Sequence, residues 1–266
     1  MKFTHPIYKF DIDTESPNIT KAVHKLNDIY KKIPRTKCLV CPGKDCMEAQ
    51  CCKHFSPPIL LVEFLKMLRI IDKWPKEKQD KLLYRCFESV VEESFVKQCV
   101  HLDDVLCEVY DARPLSCRLF GMYSDEEWED RLKRVSIEIG EDKSDVPMSV
   151  QCRNLEIEGK TKTLNKALTD KLFLQIHYLD ISLFPNKIQG KDTVMSSYTY
   201  MPFDMQYLCI KIGPDNLEKL TDIKIHMRNM RNKLNRNEIT IQKWLEEKKN
   251  VGEVLSNIRL QIFPQK

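Results

Sequence analysis

Glycine is scarce in this chain, with seven among 266 residues. Neither the GxGxxG turn of a dinucleotide fold nor the GxxxxGK phosphate loop occurs, which argues against a nucleotide-binding enzyme. HExxH and GxSxG are absent as well, and so is the closely spaced cysteine triplet of radical S-adenosylmethionine enzymes. The familiar motifs therefore supply no reaction. Long apolar runs are also lacking: the strongest is Ile59, Leu60, Leu61 and Val62, and Glu63 ends it at once. A membrane span needs about 20 apolar residues, so none is expected. Met1 to Asp13 contains Lys2, His5, Lys9, Asp11 and Asp13 and forms no apolar leader core, which places the protein in the cytosol by expectation. A large excess of charge of one sign is lacking too. The 43 basic and 39 acidic residues leave a net +4, which demands neither a nucleic acid nor an acidic membrane as partner.

What is present is an ordinary globular composition, 42% hydrophobic and 31% charged with a mean hydropathy of -0.43. At about 150 residues per domain, the length allows one large domain or two small ones. Eleven cysteines stand out. The odd count excludes a complete intramolecular disulfide framework, and clustered cysteines in a reducing compartment point to metal ligands or redox groups. Cys38, Cys41, Cys46, Cys51 and Cys52 fall in one short stretch, followed by Cys99, Cys107 and Cys117, and then by Cys152.

Periodicity supplies the frame. Ser16-Pro17 caps an amphipathic helix over 17–32, which Pro34 ends. An edge strand or extended arm precedes it, and a cysteine-rich loop over 37–54 follows. Pro57-Pro58 is expected to start a second helix, to about Lys73, with Leu61, Leu65, Leu68 and Ile71 on one face; Pro75 opens a third, to about Ser94. Cys86 lies in the stripe Leu82, Leu83, Cys86, Phe87 and Val90 and reads as a core thiol. Asp103-Asp104 between two apolar stretches predicts a tight hairpin, and Arg113-Pro114 a turn. Ser124 with Glu127 is a capping box for a helix to about Arg134.

Further along, a polar loop covers 140–147 and a helix 163–184, with Leu164, Leu168, Leu172, Ile176 and Leu179 as its buried stripe. A polar connector is expected over 187–197, a short strand over 206–212 containing Cys209, and two closing helices over 215–234 and 238–258. Lys224, Arg228, Arg231, Lys233 and Arg236 read as a solvated helix side rather than a nucleic-acid face. The expected fold is α+β and mainly helical. It divides into an N-terminal arm and helix (1–35), a cysteine-cluster metal-binding domain with short strands and loops (36–155) and a helical C-terminal extension (156–266).

A thiolate metal site needs sulfurs that converge within a few ångströms, which short irregular loops achieve when further ligands arrive from elsewhere. Adjacent Cys51 and Cys52 diverge and suit a multinuclear centre better than one zinc. Zinc stays open, because sites of four cysteines, or of three cysteines and a histidine, tolerate varied spacing, and His54 and His101 lie beside the cysteines. Nine candidates also leave room for a second centre or for reactive thiols.

Cys51-Cys52, an apolar helix containing Glu63, and then Cys99-Val-His-Leu-x3-Leu-Cys107-Glu-Val-Tyr110-Asp-Ala-Arg113-Pro114-Leu-Ser-Cys117-Arg118-Leu-Phe120 together resemble the YkgJ-type cysteine-cluster family, a zinc- or iron-chelating domain. The resemblance covers about 36–155. It implies Cys52, Cys99, Cys107 and Cys117 as the foremost ligands, then Cys38, Cys41 and Cys51, with Cys46 and Cys152 as further candidates. Arg113-Pro114 sets a turn between ligand positions. Arg118 is expected to donate to a sulfide or offset thiolate charge, with Tyr110 and Arg113 beside it. Two expectations follow. The first is a cytosolic protein with one or two 4Fe-4S clusters, acting in electron transfer with a redox or protein partner, or as an oxidoreductase or protein-modifying enzyme. The second is a structural-zinc interaction module or a metal carrier.

Overall fold

The computed structural model describes residues 2–4, 11–34, 36–38, 52–53, 56–91, 98–104, 106–139, 155–157, 164, 166–183 and 201–263. Among these, nine α-helices and four two-stranded antiparallel ribbons make the chain mainly helical. The first ribbon pairs β1 (Lys2–Thr4) with β2 (Asp11–Asp13). Helix α1 (Pro17–Tyr30) begins as expected, with Ser16 Oγ accepting the Ile19 N–H and Pro17 in the first turn. Its two buried edges serve two cores. Ile19 and Val23 join one cluster, while Ala22, Leu26, Ile29 and Tyr30 join the other.

The centre of the molecule is α2 (Leu61–Ile71), in which Leu61, Val62, Phe64, Leu65, Met67, Leu68 and Ile71 are all buried. A helix apolar on most sides must be wrapped by others. The Pro57-Pro58 pair does not start it: Pro58–Ile59 form β4, paired with β8 (Met201–Pro202). Helix formation waits until Leu61 because the first N–H groups of a buried helix need acceptors, and these are found only there.

Helix α3 (Lys76–Val91) buries Leu82, Cys86, Phe87 and Val90, the stripe read from the sequence. The hairpin is present as β5 (Leu102–Asp103) and β6 (Leu106–Cys107), with Leu102 opposite Cys107. Asp104 turns with φ of 54°, a conformation that aspartate tolerates better than most residues. A single 3-10 turn (Tyr110–Ala112) leads through Arg113 into the short α4 (Leu115–Leu119). Then α5 (Asp125–Ile139) opens on the Ser124 cap, whose Oγ accepts from Glu127 N–H at 3.2 Å. Strand β3 (Thr36–Cys38) pairs with β7 (Leu155–Ile157), setting Cys38 opposite Leu155. Helix α6 (Lys166–Leu183) buries Leu172, Ile176 and Leu179 as expected, and Asp180 with them.

The strand expected over 206–212 is instead part of a helix, α7 (Phe203–Ile212). Phe203, Asp204, Gln206, Tyr207, Leu208 and Cys209 are all buried, so the segment is enclosed on nearly every side. Its short apolar run carries no one-sided period by which helix and strand can be told apart. Phe203 and Tyr207, four residues apart, stack at 5.4 Å. Gly213, at φ of 84°, ends α7 and admits Pro214 as the first residue of α8 (Pro214–Asn235). The last helix, α9 (Ile241–Ile262), returns against α8 and brings Phe263 to Tyr84 and Phe87. On α8, Met227 and Met230 are buried, Lys224 and Arg228 half-buried and Arg231 and Lys233 exposed, with Arg236 exposed just past its end.

Two hydrophobic clusters result. The larger runs from Ile12 through α2, α3 and α7 to Ile258; the smaller joins α1, α4, α5 and α6. Each draws on residues from the arm, the cysteine-rich stretch and the C-terminal stretch. No helix among the described residues is long and apolar enough to cross a membrane. The loops expected over 140–147 and 187–197 lie outside the described residues, as do Cys41, Cys46, Cys51, Cys152 and His54.

Candidate metal centre

Cys52, Cys99, Cys107 and Cys117 are half-buried, whereas Cys86 and Cys209 are buried in the core. The two groups differ by cause. Cys86 and Cys209 sit on core stripes of α3 and α7, while the other four sit on short connecting elements. Cys99 N–H donates to the Cys52 carbonyl at 2.6 Å, and Leu102 N–H to the Cys99 carbonyl at 3.0 Å. These bonds tie the segment that ends the first cysteine group to the one that starts the second. The hairpin then returns Cys107 opposite Leu102, and Glu108 N–H closes on the His101 carbonyl at 2.9 Å. Cys38 lies on β3, and its pairing with β7 sets the strand leading to Cys41 beside the strand that follows Cys152. Among the described residues, no three cysteine, histidine, aspartate or glutamate side chains converge as an ion-binding group.

Cys117 is placed by a carboxylate that sequence reasoning left without a role. Glu63, 2% exposed, accepts from Tyr30 Oη at 2.6 Å and Leu115 N–H at 2.7 Å through Oε1, and from Leu60 N–H at 3.1 Å through Oε2. One side chain thus holds α1, the start of α2 and the start of α4. Asp180 completes the same helix terminus, taking Leu61 N–H at 2.8 Å and Val62 N–H at 2.7 Å. Burial pushes Glu63 above the usual carboxylate range and Asp180 up to about 8. The donated hydrogen bonds oppose this rise without cancelling it. A signal for Asp180 existed: it continues the buried row Leu172, Ile176 at four-residue spacing, where an acid needs buried donors.

Arg118 was expected beside the metal. It braces the turn: Nε donates to the Arg113 carbonyl at 2.7 Å and Nη2 to the Asp111 carbonyl at 2.9 Å. Its guanidinium lies 4.3 Å from the centre of the Tyr30 ring. Arg113 stacks on Tyr110 at 3.7 Å and donates from Nε to the Tyr110 carbonyl. These contacts brace the 110–118 turn and hold the Arg113 and Arg118 cations on the segment that carries Cys117.

His101 is 2% exposed and meets the edge of Phe203 at 4.2 Å. Burial, and then the Arg85 cation, push its pKa down to about 3, so the ring is neutral. Among the described residues, neither ring nitrogen has a hydrogen-bond partner. Two unsatisfied buried nitrogens are costly. His101→Leu is therefore expected to stabilise the fold by about 1–2 kcal/mol in chemical denaturation and to leave metal content unchanged. Loss of metal in that variant would make the ring a ligand. Comparisons with protein-family models, curated proteins and solved structures found no match to this chain.

Proposed function

We propose that this chain is a cytosolic iron-sulfur protein. Its 4Fe-4S centre is held by thiolates drawn from Cys52, Cys99, Cys107 and Cys117, with Cys38, Cys41, Cys46, Cys51 and Cys152 as the remaining candidates. The observation that carries this reading is the division of the thiols. Four are half-buried on short connecting elements, two of them joined by the bond between Cys99 N–H and the Cys52 carbonyl, and two others are committed to the core. Several thiolates on short, rigid segments are the donor set that such clusters use. Arg113 and Arg118 would offset their charge. Bound there, a cluster supplies one-electron chemistry, for transfer to a protein partner or for a cluster-dependent modification.

One observation favours a zinc module or carrier instead. His101 presents a neutral imidazole without a described partner two residues after Cys99, and three cysteines with one histidine are an ordinary zinc ligand set. The deciding experiment is anaerobic purification, then analysis for iron, zinc and acid-labile sulfide and a visible spectrum before and after dithionite. About four irons and four sulfides per centre, with a band that bleaches, are expected. Stoichiometric zinc without sulfide would overturn the iron-sulfur reading in favour of the module.

A further inference from the structure

Tyr30 carries two cations on one ring. Lys66 Nζ, from α2, lies 4.7 Å from the ring centre, and the Arg118 guanidinium, from α4, lies 4.3 Å from it. Arg113 is close enough to repel Arg118, and Arg118 repels Lys66. All three are half-buried. Among the described residues none of the three forms an ion pair. The nearest buried acid, Glu63, has already committed its carboxylate to Tyr30, Leu60 and Leu115. Burial, with Arg118 next, pushes Lys66 down to about 8. Asp111 attracts Lys66 only weakly.

Crowding like charges in a half-desolvated place costs free energy, and stacking on tyrosine returns about 0.5–2 kcal/mol per cation. An anion would return more. Arg118 has five N–H donors, of which two are used on backbone carbonyls, and Lys66 has three. A guanidinium fork and an ammonium, both within 5 Å of one ring centre, are each suited to the oxygens and charge of a carboxylate or phosphate.

We propose that Lys66, Arg118 and Arg113 form a recognition site for the carboxylate or phosphate group of a ligand brought next to Cys117. This names the substrate chemistry of the proposed centre and takes its meaning from that reading, although oxyanion binding itself does not require iron. The test titrates inorganic phosphate, and separately acetate, into the full chain as isolated, at constant ionic strength held with chloride. Binding is followed by calorimetry and by the NMR shifts of isotopically methylated lysines.

Saturable binding that moves the Lys66 signal is expected, weakened roughly tenfold or more in Lys66→Met and largely kept in Lys66→Arg. Lys78→Met, remote on α3, should bind as the wild type does. Stronger binding of phosphate would mark a phosphoryl ligand, and of acetate a carboxylate. No saturable binding would overturn the proposal, and so would a Lys66→Met variant that binds as the wild type. Binding that appears only after chelation would also overturn it, since the cations would then serve the metal centre alone. Metal analysis of the same sample keeps the two readings separate: zinc with oxyanion binding removes the iron, while iron and sulfide without oxyanion binding removes this site only.

Discussion

Under the proposed iron-sulfur reading, Cys107→Ser and Cys117→Ser are expected to lose most of the iron and sulfide of the wild type, while Cys86→Ser and Cys209→Ser keep theirs. The contrast rests on where the chain places each thiol. Cys107 ends the hairpin, half-buried against the margin of the larger core, and Cys117 lies half-buried in α4, so serine there removes a sulfur at little cost to the packing. Cys86 is fully buried on α3 and Cys209 is 3% exposed on α7. Serine at these two sites buries a hydroxyl and costs about 1–3 kcal/mol of stability, with no change in metal per folded chain. Metal and sulfide per chain, measured beside denaturant midpoints for all four variants, separates the effects. Equal metal loss at all four positions would sink the partition into ligands and core thiols.

Asp180→Ala is expected to cost about 3–5 kcal/mol, the largest single effect on the fold. Removing the carboxylate strands the Leu61 and Val62 N–H groups at the start of the central helix, out of reach of water, and detaches α6 from α2. Wild-type stability should also depend on pH. An unfolded aspartate titrates near 4, whereas burial holds the native carboxyl up to about 8. Between those values the unfolded chain binds fewer protons than the native one, so stability falls as pH rises through the window. A protonated carboxyl still has lone pairs for both amides. Glu63, raised for the same reason, adds to the slope with the same sign. Asp180→Asn should flatten the dependence while remaining less stable than the wild type at low pH. Urea unfolding of the wild type and of Asp180→Asn at pH 5 and pH 8 checks this. The opposite contribution of His101, held down to about 3, is common to both, and a wild type whose stability falls no more than the variant's would contradict it.

Much of the frame was legible in the sequence because its causes are local. The Ser16-Pro17 cap, the stripe from Leu82 to Val90, the Asp103-Asp104 hairpin and the Ser124 cap each involve residues within a turn or two of one another, and each stands where expected. The core role of Cys86 followed from the same spacing. Other features were hidden for the opposite reason. The start of α2 depends on Asp180, which reaches it from a helix remote in sequence, and without that carboxylate the prolines at 57 and 58 looked like the better start. Cys209 was read as a strand residue because enclosure by α3 and α8 leaves α7 no exposed face to give it a helical period.

The sequence by itself determined where most helices could start and stop, which apolar faces had to be covered, and which cysteines fall outside those faces. Only the tertiary structure decided what covers each face and what surrounds each thiol: that Glu63 anchors the helix of Cys117, that Lys66 and Arg118 share one tyrosine, and that His101 is enclosed. Local propensity acts over a few residues, whereas a buried charge is stable only where distant segments bring donors to it, and those partners exist only once the chain has closed.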